Sequence, residues 1–373
     1  MNPDSVKSAF FALLKAGLWN NFPVPQGISL TEDEWLRLYS FSREQTVEGI
    51  IYDGILRLSA ECFPPKSLML KWTALVTTIE DRNKQMNDLI EKLGGFFSIN
   101  NLDLYLLKGQ GLARCYEQPS HRVCGDIDWY FYTRETFKKA NRLIAGKGFK
   151  MHKSIDLDVS YAWKGIPVEH HSRLIDIHNP FVSKWLKKIV QDEEKNKLWM
   201  SFGSCNIALP SPLLSHLVVN SHILKHSLSF GIGLRQLCDS ARICYTYCDK
   251  IDGKELEKIY RRLGIYRWIQ MLNRLLVESL GMPEACLPFP PDNRDAAEWM
   301  LDEIVESGNF GFADQRFGKN ECDPWEKRSH SFRHILHRFR LFVRYVPSEA
   351  CWFPVVQLYS RIRGCLGKWN IPN

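Results

Sequence analysis

Two short stretches of this chain hold the residues best suited to chemistry. Leu106-Leu107-Lys108-Gly109-Gln110-Gly111 places a glycine turn straight after an apolar run, and Arg122-Val123-Cys124-Gly125-Asp126-Ile127-Asp128-Trp129 carries an Asp-x-Asp pair a little further on. Alternate side chains of a strand share a face, so Asp126 and Asp128 point one way while Ile127, Trp129 and Phe131 point the other. Two carboxylates held this close repel, and one takes up a proton unless a divalent cation or a basic partner neutralises them. The glycine turn supplies the complementary half. Backbone N–H groups at the start of a short helix, expected over 111–116, form an anion site, and Gly109 has no Cβ to hold a phosphate away. Lys108 or Arg122 adds fixed positive charge. The pattern suits a metal-bound nucleoside triphosphate, with Lys108, Gly109, Gln110, Gly111 and Arg122 on the nucleotide and Asp126 and Asp128 on the metal.

Two-metal chemistry wants a third carboxylate from a neighbouring strand. Glu169, in Val168-Glu169-His170-His171, is the first choice as third metal ligand or general base, and Asp176 in Leu174-Ile175-Asp176-Ile177-His178 is its competitor. With Mg²⁺ or Mn²⁺ as cofactor, one ion holds the β- and γ-phosphates while the other activates an acceptor hydroxyl at the α-phosphorus. Zinc is disfavoured, because adjacent histidines on a strand face opposite ways and no cysteine stands at ligand spacing from His170, His171 or His178. His222 and His226 lie four apart, but Ile223 replaces the glutamate that a His-Glu-x-x-His metalloprotease needs. Arg235 and Asp239, also four apart, are expected to pair with each other, with Arg235 facing the nucleotide as the minor alternative.

The elements that must position these groups follow from periodicity. Apolar residues recur at helical spacing from Ser5 to about Leu93, with Thr31-Glu32-Asp33-Glu34 as a helix start and Pro23, Pro25, Pro64 and Pro65 as breaks. Between Gly94-Gly95 and Pro210 the segments turn short and β-like: 102–107, 126–132, 157–163, 166–170 and 174–178, with Lys164-Gly165 as a hairpin turn. Thr133 caps a helix expected over 134–145. From Pro212 the pattern is helical again, with helices expected over 254–262, 266–280, 294–306, 332–345 and 355–366. The expected architecture is α+β: a small mixed sheet at 96–210 between a helical region at 1–95 and another at 211–373.

Composition narrows the class. The 373 residues are 45% hydrophobic, enough for a large core, and 49 basic against 42 acidic residues give +7, too diffuse to signal nucleic acid by itself. Eleven scattered cysteines, several in apolar helical patterns, fit a reduced environment better than a disulfide framework. Met1-Asn2-Pro3-Asp4-Ser5 lacks the basic and apolar regions of a secretory leader, and no apolar run approaches the roughly 18 residues of a membrane span. A cytoplasmic protein is expected. The basic, aromatic segment 328–354 offers a peripheral membrane contact as an alternative to a solvated face over the core.

Lys108-Gly109, Tyr116, Arg122 and Gly125-Asp126-Ile127-Asp128 together resemble the uncharacterised bacterial nucleotidyltransferases of the DNA polymerase beta superfamily. Val168-Glu169-His170-His171, His178-Asn179-Pro180-Phe181 and Gly233-Leu234-Arg235-Gln236-Leu237-Cys238-Asp239 resemble that family as well, so the likeness spans most of the chain. It implies a nucleotidyltransferase fold, Mg²⁺ dependence and transfer of a nucleoside monophosphate from a triphosphate to an acceptor that it does not name. A small molecule, a sugar or a protein side chain is expected there, with no template nucleic acid. Gln110 stands where the wider superfamily has serine, and the interval from Gly109 to Asp126 is long. The alternative is a nucleotide- or partner-binding protein that keeps the fold with weakened catalysis. Phosphoryl transfer at the γ-phosphate is a third reading.

Overall fold

The computed structural model describes residues 3–153, 158–291, 297–312, 314, 316 and 332–365. Helices α1 (Pro3–Leu18), α2 (Glu32–Glu44), α3 (Glu48–Ile55) and α4 (Lys66–Ile99) come first. Thr31 caps α2 through a reciprocal pair with Glu34, as its sequence signals. Strand β1 (Leu104–Leu107), helix α5 (Gly109–Ala113), strand β2 (Ile127–Phe131) and helix α6 (Arg134–Ala145) follow, and then strands β3 (His152–Lys153), β4 (Val159–Trp163) and β5 (Ile166–His171). Helix α7 (Ser183–Asp192) precedes the hairpin β6 (Leu198–Phe202) and β7 (Cys205–Leu209). The chain continues through α8 (Pro212–Leu228), α9 (Leu234–Thr246), α10 (Gly253–Leu263), α11 (Tyr266–Glu278), α12 (Glu298–Ser307), α13 (Phe332–Phe342) and α14 (Pro347–Cys365).

The α+β class expected from the sequence is what forms. Five strands make a mixed sheet in the order β1-β2-β5-β4-β3, in which β2 and β5 run parallel and the other neighbours are antiparallel. The β4–β5 hairpin closes through Lys164 and Gly165, both at positive φ, the conformation whose twist suits a two-residue turn. Register fixes the chemistry. Asp128 lies opposite Leu107 on one side and Glu169 on the other, so the end of β1, the start of β2 and the middle of β5 meet in one row.

Both faces of the sheet are covered. Ile127, Trp129 and Phe131 pack against the second half of α4, with Phe97 meeting the rings of Trp129, Phe131 and His170 edge-on at 5.5–5.8 Å. Tyr105, Leu107 and Tyr130 face the other way, into a larger core shared by α1–α4 and the helices from α8 onward. Asp128 projects on that second side, where a strand alternation of two must put it.

Several local expectations change: α4 runs through Gly94 and Gly95 to Ile99 rather than ending near Leu93, and β2 begins at Ile127, so Asp126 falls just ahead of the strand expected over 126–132. Segment 174–178 is irregular rather than a strand: the Asp176 N–H donates to Ser221 Oγ and the His178 N–H to Glu349 Oε2, so side chains of α8 and α14 take the bonds a ladder would have used. The short helix starts at Gly109 rather than Gly111, directly from the turn.

Candidate active site

Asp128 is the centre of the site. It is 2% exposed, and its Oδ1 accepts from His171 Nε2 at 2.7 Å and lies 3.5 Å from Lys108 Nζ. Burial works to raise its pKa, but Lys108 and His171 outweigh burial and hold this carboxyl well below the usual range. Asp126, just ahead of β2, is shifted the other way: burial raises it and the charge of Asp128 adds to the rise, against the pull of Lys108 and Arg235. Glu169 is pushed up to about 7 by burial and by Asp126. With 39% of its side chain exposed, Glu169 forms the wet edge of the cluster, and solvent tempers that rise.

His171, weighed from the sequence only as a zinc ligand and set aside, joins Asp128 and Glu169 in the cluster. Its Nε2 lies 3.6 Å from Glu169 Oε2, and its Nδ1 lies 3.1 Å from Asp158 Oδ2. Burial works to lower its pKa, yet Asp158 and Asp128 hold it well above the ordinary imidazole value, so the ring is a cation balancing these carboxylates. The signal was present in the i, i+2 spacing from Glu169, which puts both side chains on one face of β5.

The glycine turn sits beside this cluster. Lys108 has φ 38°, ψ −144°, and Gly109 has φ 40°, a left-handed pair in which Lys108 pays backbone strain to place its ammonium. A Cβ on Gly109 would meet Asp126 O at 3.2 Å, so glycine also permits the close pass of turn and acidic strand. Burial works to lower the Lys108 pKa, but Asp128, Asp176, Asp126 and Glu169 together raise it, which keeps the ammonium charged. Gln110 and Gly111 face elsewhere. Gln110 Nε2 donates to Asn83 Oδ1 at 2.9 Å, and a Cβ on Gly111 would meet Leu209 Cδ2 at 2.9 Å.

Arg122 is also committed to a protein partner. Its Nε and Nη2 donate to the two oxygens of Asp239, each at 2.7 Å, and Tyr116 Oη donates to Asp239 Oδ1 at 2.6 Å. Asp239 therefore pairs with Arg122 rather than Arg235. Arg235 donates instead to Thr46 Oγ1 and to the Val123 carbonyl, both at 3.1 Å, and its charge acts on Asp126. Asn83 completes the support: its Nδ2 donates to the Ser120 carbonyl at 2.6 Å and the Arg122 carbonyl at 2.9 Å. The loop that delivers Asp126 is thus fastened to α4 and α9 from both sides.

Asp176 lies outside the metal-type cluster. Its Oδ2 is 3.0 Å from His222 Nδ1 and its Oδ1 is 3.2 Å from Lys225 Nζ, and His222 Nδ1 is 3.4 Å from Lys108 Nζ. His178 is remote, bonded to Glu349 on α14. In the basic segment, residues 328–331 lie outside those described. Within α13, Arg338 is 2% exposed and ion-paired to Glu303 at 2.7 Å, so that part of the basic face turns inward. Among the described residues no helix is long and apolar enough to cross a membrane.

The donor set fits a divalent ion. Ligand atoms of Asp128, Glu169 and His171 lie within 4.8 Å of one another, a span that one ion at about 2.0–2.6 Å from each ligand can bridge. Carboxylate oxygens suit Mg²⁺ or Mn²⁺, whereas the His171 cation must lose a proton before it can ligate.

Comparison with known proteins gives three results. No curated protein matches the chain. A solved structure, described as an antigenic nucleotidyltransferase-like protein from Paracoccidioides brasiliensis, is similar at 12% identity and a TM-score of 0.32, covering 52% of this chain and 92% of that one. A family profile described as "Uncharacterised nucleotidyltransferase" matches residues 31–281, which include the glycine turn, the acidic strand, Glu169 and α9, and the chain belongs to that family.

Proposed function

We propose that this protein is a Mg²⁺- or Mn²⁺-dependent nucleotidyltransferase, moving a nucleoside monophosphate from a triphosphate to a small-molecule, sugar or protein acceptor. The observation that supports this reading is the grouping of Asp128, Glu169 and His171, with ligand atoms within 4.8 Å of one another, beside Lys108, the carboxyl of Asp126 and a positive-φ glycine turn. Asp126, Asp128 and Glu169 hold the metal. Backbone N–H groups from Gly109 to Gly111 and the Lys108 ammonium hold phosphate, while Gln110 and Arg122 brace the turn and the acidic loop through Asn83 and Asp239. A bound divalent ion supplies charge neutralisation at the phosphates and polarises the acceptor hydroxyl, worth several kcal/mol in the transition state. In this reading Asp128 would help hold the ion, and the Lys108 ammonium, 3.5 Å from its Oδ1, would hold phosphate next to it.

A second reading, a nucleotide-binding protein with weakened catalysis, is favoured by one observation: Gln110 turns its side chain to Asn83, so the position that carries a serine in the wider superfamily offers the cleft no hydroxyl. Incubation with α-labelled ATP, CTP, GTP and UTP, Mg²⁺ or Mn²⁺ and cell extract separates the two. Label on an acceptor together with pyrophosphate release supports transfer. A nucleoside diphosphate product would indicate phosphoryl transfer instead, and binding without products would leave only the second reading. Equal labelling by Asp126→Asn/Asp128→Asn would refute the assigned roles.

A further inference from the structure

Cys115, Cys124, Cys238 and Cys244 are buried, whereas Cys248 and Cys286 are half-buried and meet from distant parts of the chain. Cys248 opens the single tight turn Cys248–Lys250 that follows α9, and Cys286 ends the turn Glu284–Cys286 that follows α11. The Cys248 thiol donates to the Ala285 carbonyl at 3.6 Å, which puts its sulfur beside the peptide unit that leads into Cys286, and the two side chains hydrogen-bond to each other. We infer that Cys248 and Cys286 form a reversible disulfide, with a small-molecule disulfide such as oxidised glutathione as the oxidant. The inference stands apart from the nucleotidyltransferase reading.

A disulfide needs two thiols at bonding reach and an approach for the oxidant. Partial exposure supplies the approach. Neither residue belongs to a hydrophobic core, so joining them disturbs no packed interior. Burial, the neighbouring Cys248 thiol and the Asp249 charge push the Cys286 thiol up to about 11. Cys286 therefore keeps its proton near pH 7, which makes Cys248 the attacking sulfur and Cys286 the resolving one. Cys244, one helical turn before Cys248, is the poorer partner: its buried Sγ lies 3.3 Å from His216 Nε2, and burial pushes that thiol up to about 12.

In the first step the Cys248 thiolate attacks one sulfur of the small disulfide, and the S–S bond breaks with its electron pair leaving on the released thiolate. Cys286 then gives its proton to solvent and attacks the Cys248 sulfur, expelling the second small thiolate. Two protein thiols are oxidised and one small disulfide is reduced to two thiols. The new bond closes a loop that holds α10 and α11, and it ties the end of α9, the helix of Arg235 and Asp239, to the segment after α11. Such a link restricts the unfolded chain and raises resistance to denaturant.

The test equilibrates the full chain, Cys248→Ser and Cys286→Ser in mixtures of reduced and oxidised glutathione, then alkylates free thiols and maps peptides by mass spectrometry without reductant. The intact protein should yield a linked Cys248–Cys286 peptide, about 2 Da lighter than its two thiol peptides together and lost on adding dithiothreitol. Cys286→Ser should instead hold glutathione on Cys248. Oxidation should raise the urea midpoint of the intact protein and leave that of Cys248→Ser in place. No linked peptide under excess oxidised glutathione, either cysteine linked to a different one in its place, a link that forms only in urea, or a midpoint lowered by oxidation would each overturn the inference.

Discussion

Asp239 on α9 receives both Nε and Nη2 of Arg122 at 2.7 Å, and the two residues stand 117 positions apart in the chain. Arg122 is 2% exposed and Asp239 is 6% exposed, so this is a buried, bidentate pair, with Tyr116 as a further donor. Truncating one partner strands the other as an unpaired buried charge. Asp239→Ala should therefore lose about 3–5 kcal/mol of unfolding free energy, read from urea denaturation. The double variant Arg122→Met/Asp239→Leu, which buries no charge, should recover much of it. A loss below about 1 kcal/mol for Asp239→Ala would mean that water reaches Arg122.

Metal affinity should rise with pH. Glu169 is pushed up to about 7, Asp126 is raised, and His171 is held as a cation, so protons compete with the ion for the same atoms. Mn²⁺ binding followed by electron paramagnetic resonance should tighten between pH 6 and pH 8. Constant affinity across that range would contradict the ligand assignment.

Asp126→Asn and Asp128→Asn should each reduce nucleotidyl transfer by about a thousandfold or more, since ~4 kcal/mol of transition-state stabilisation corresponds to that factor. The same variants should weaken Mn²⁺ binding, whereas His222→Gln should not. A Mn²⁺ titration of all three proteins makes the comparison.

Acid should destabilise the fold through its buried neutral histidines. His170, with no exposed surface, has its pKa lowered to about 3 by burial. Between the unfolded value near 6.5 and about 3, the unfolded chain binds the proton and the native ring does not, so stability falls as pH falls through that window. The contribution is about 2 kcal/mol at pH 5. His170→Gln, which can still donate to Asn141, should show a smaller drop between pH 7 and pH 5 by about that amount in denaturation midpoints converted to free energy.

The sequence made some of this site legible and hid the rest for a physical reason. Asp128 and the turn at Gly109 could be placed because strand alternation and glycine's left-handed freedom act over a few residues, whereas Asp126 falls just ahead of the strand. Helix α6 and its Thr133 cap followed from the same kind of local rule. The partners of Arg122 and Asp176 could not be placed, because each choice depends on how helices dock across 117 and 46 residues. An i, i+4 rule paired Arg235 with Asp239, but the docked helix gave each a partner elsewhere. Hairpin β6–β7 went unmarked because Trp199 interrupts the polar side of its alternation.

Asn83 holds the Ser120 and Arg122 carbonyls with its amide nitrogen and the Gln110 side chain with its amide oxygen, all from the middle of α4. The glycine turn and the acidic loop therefore share one anchoring side chain, to which α9 adds its own hold on the loop. Replacing Asn83 would thus release both segments from one point at once.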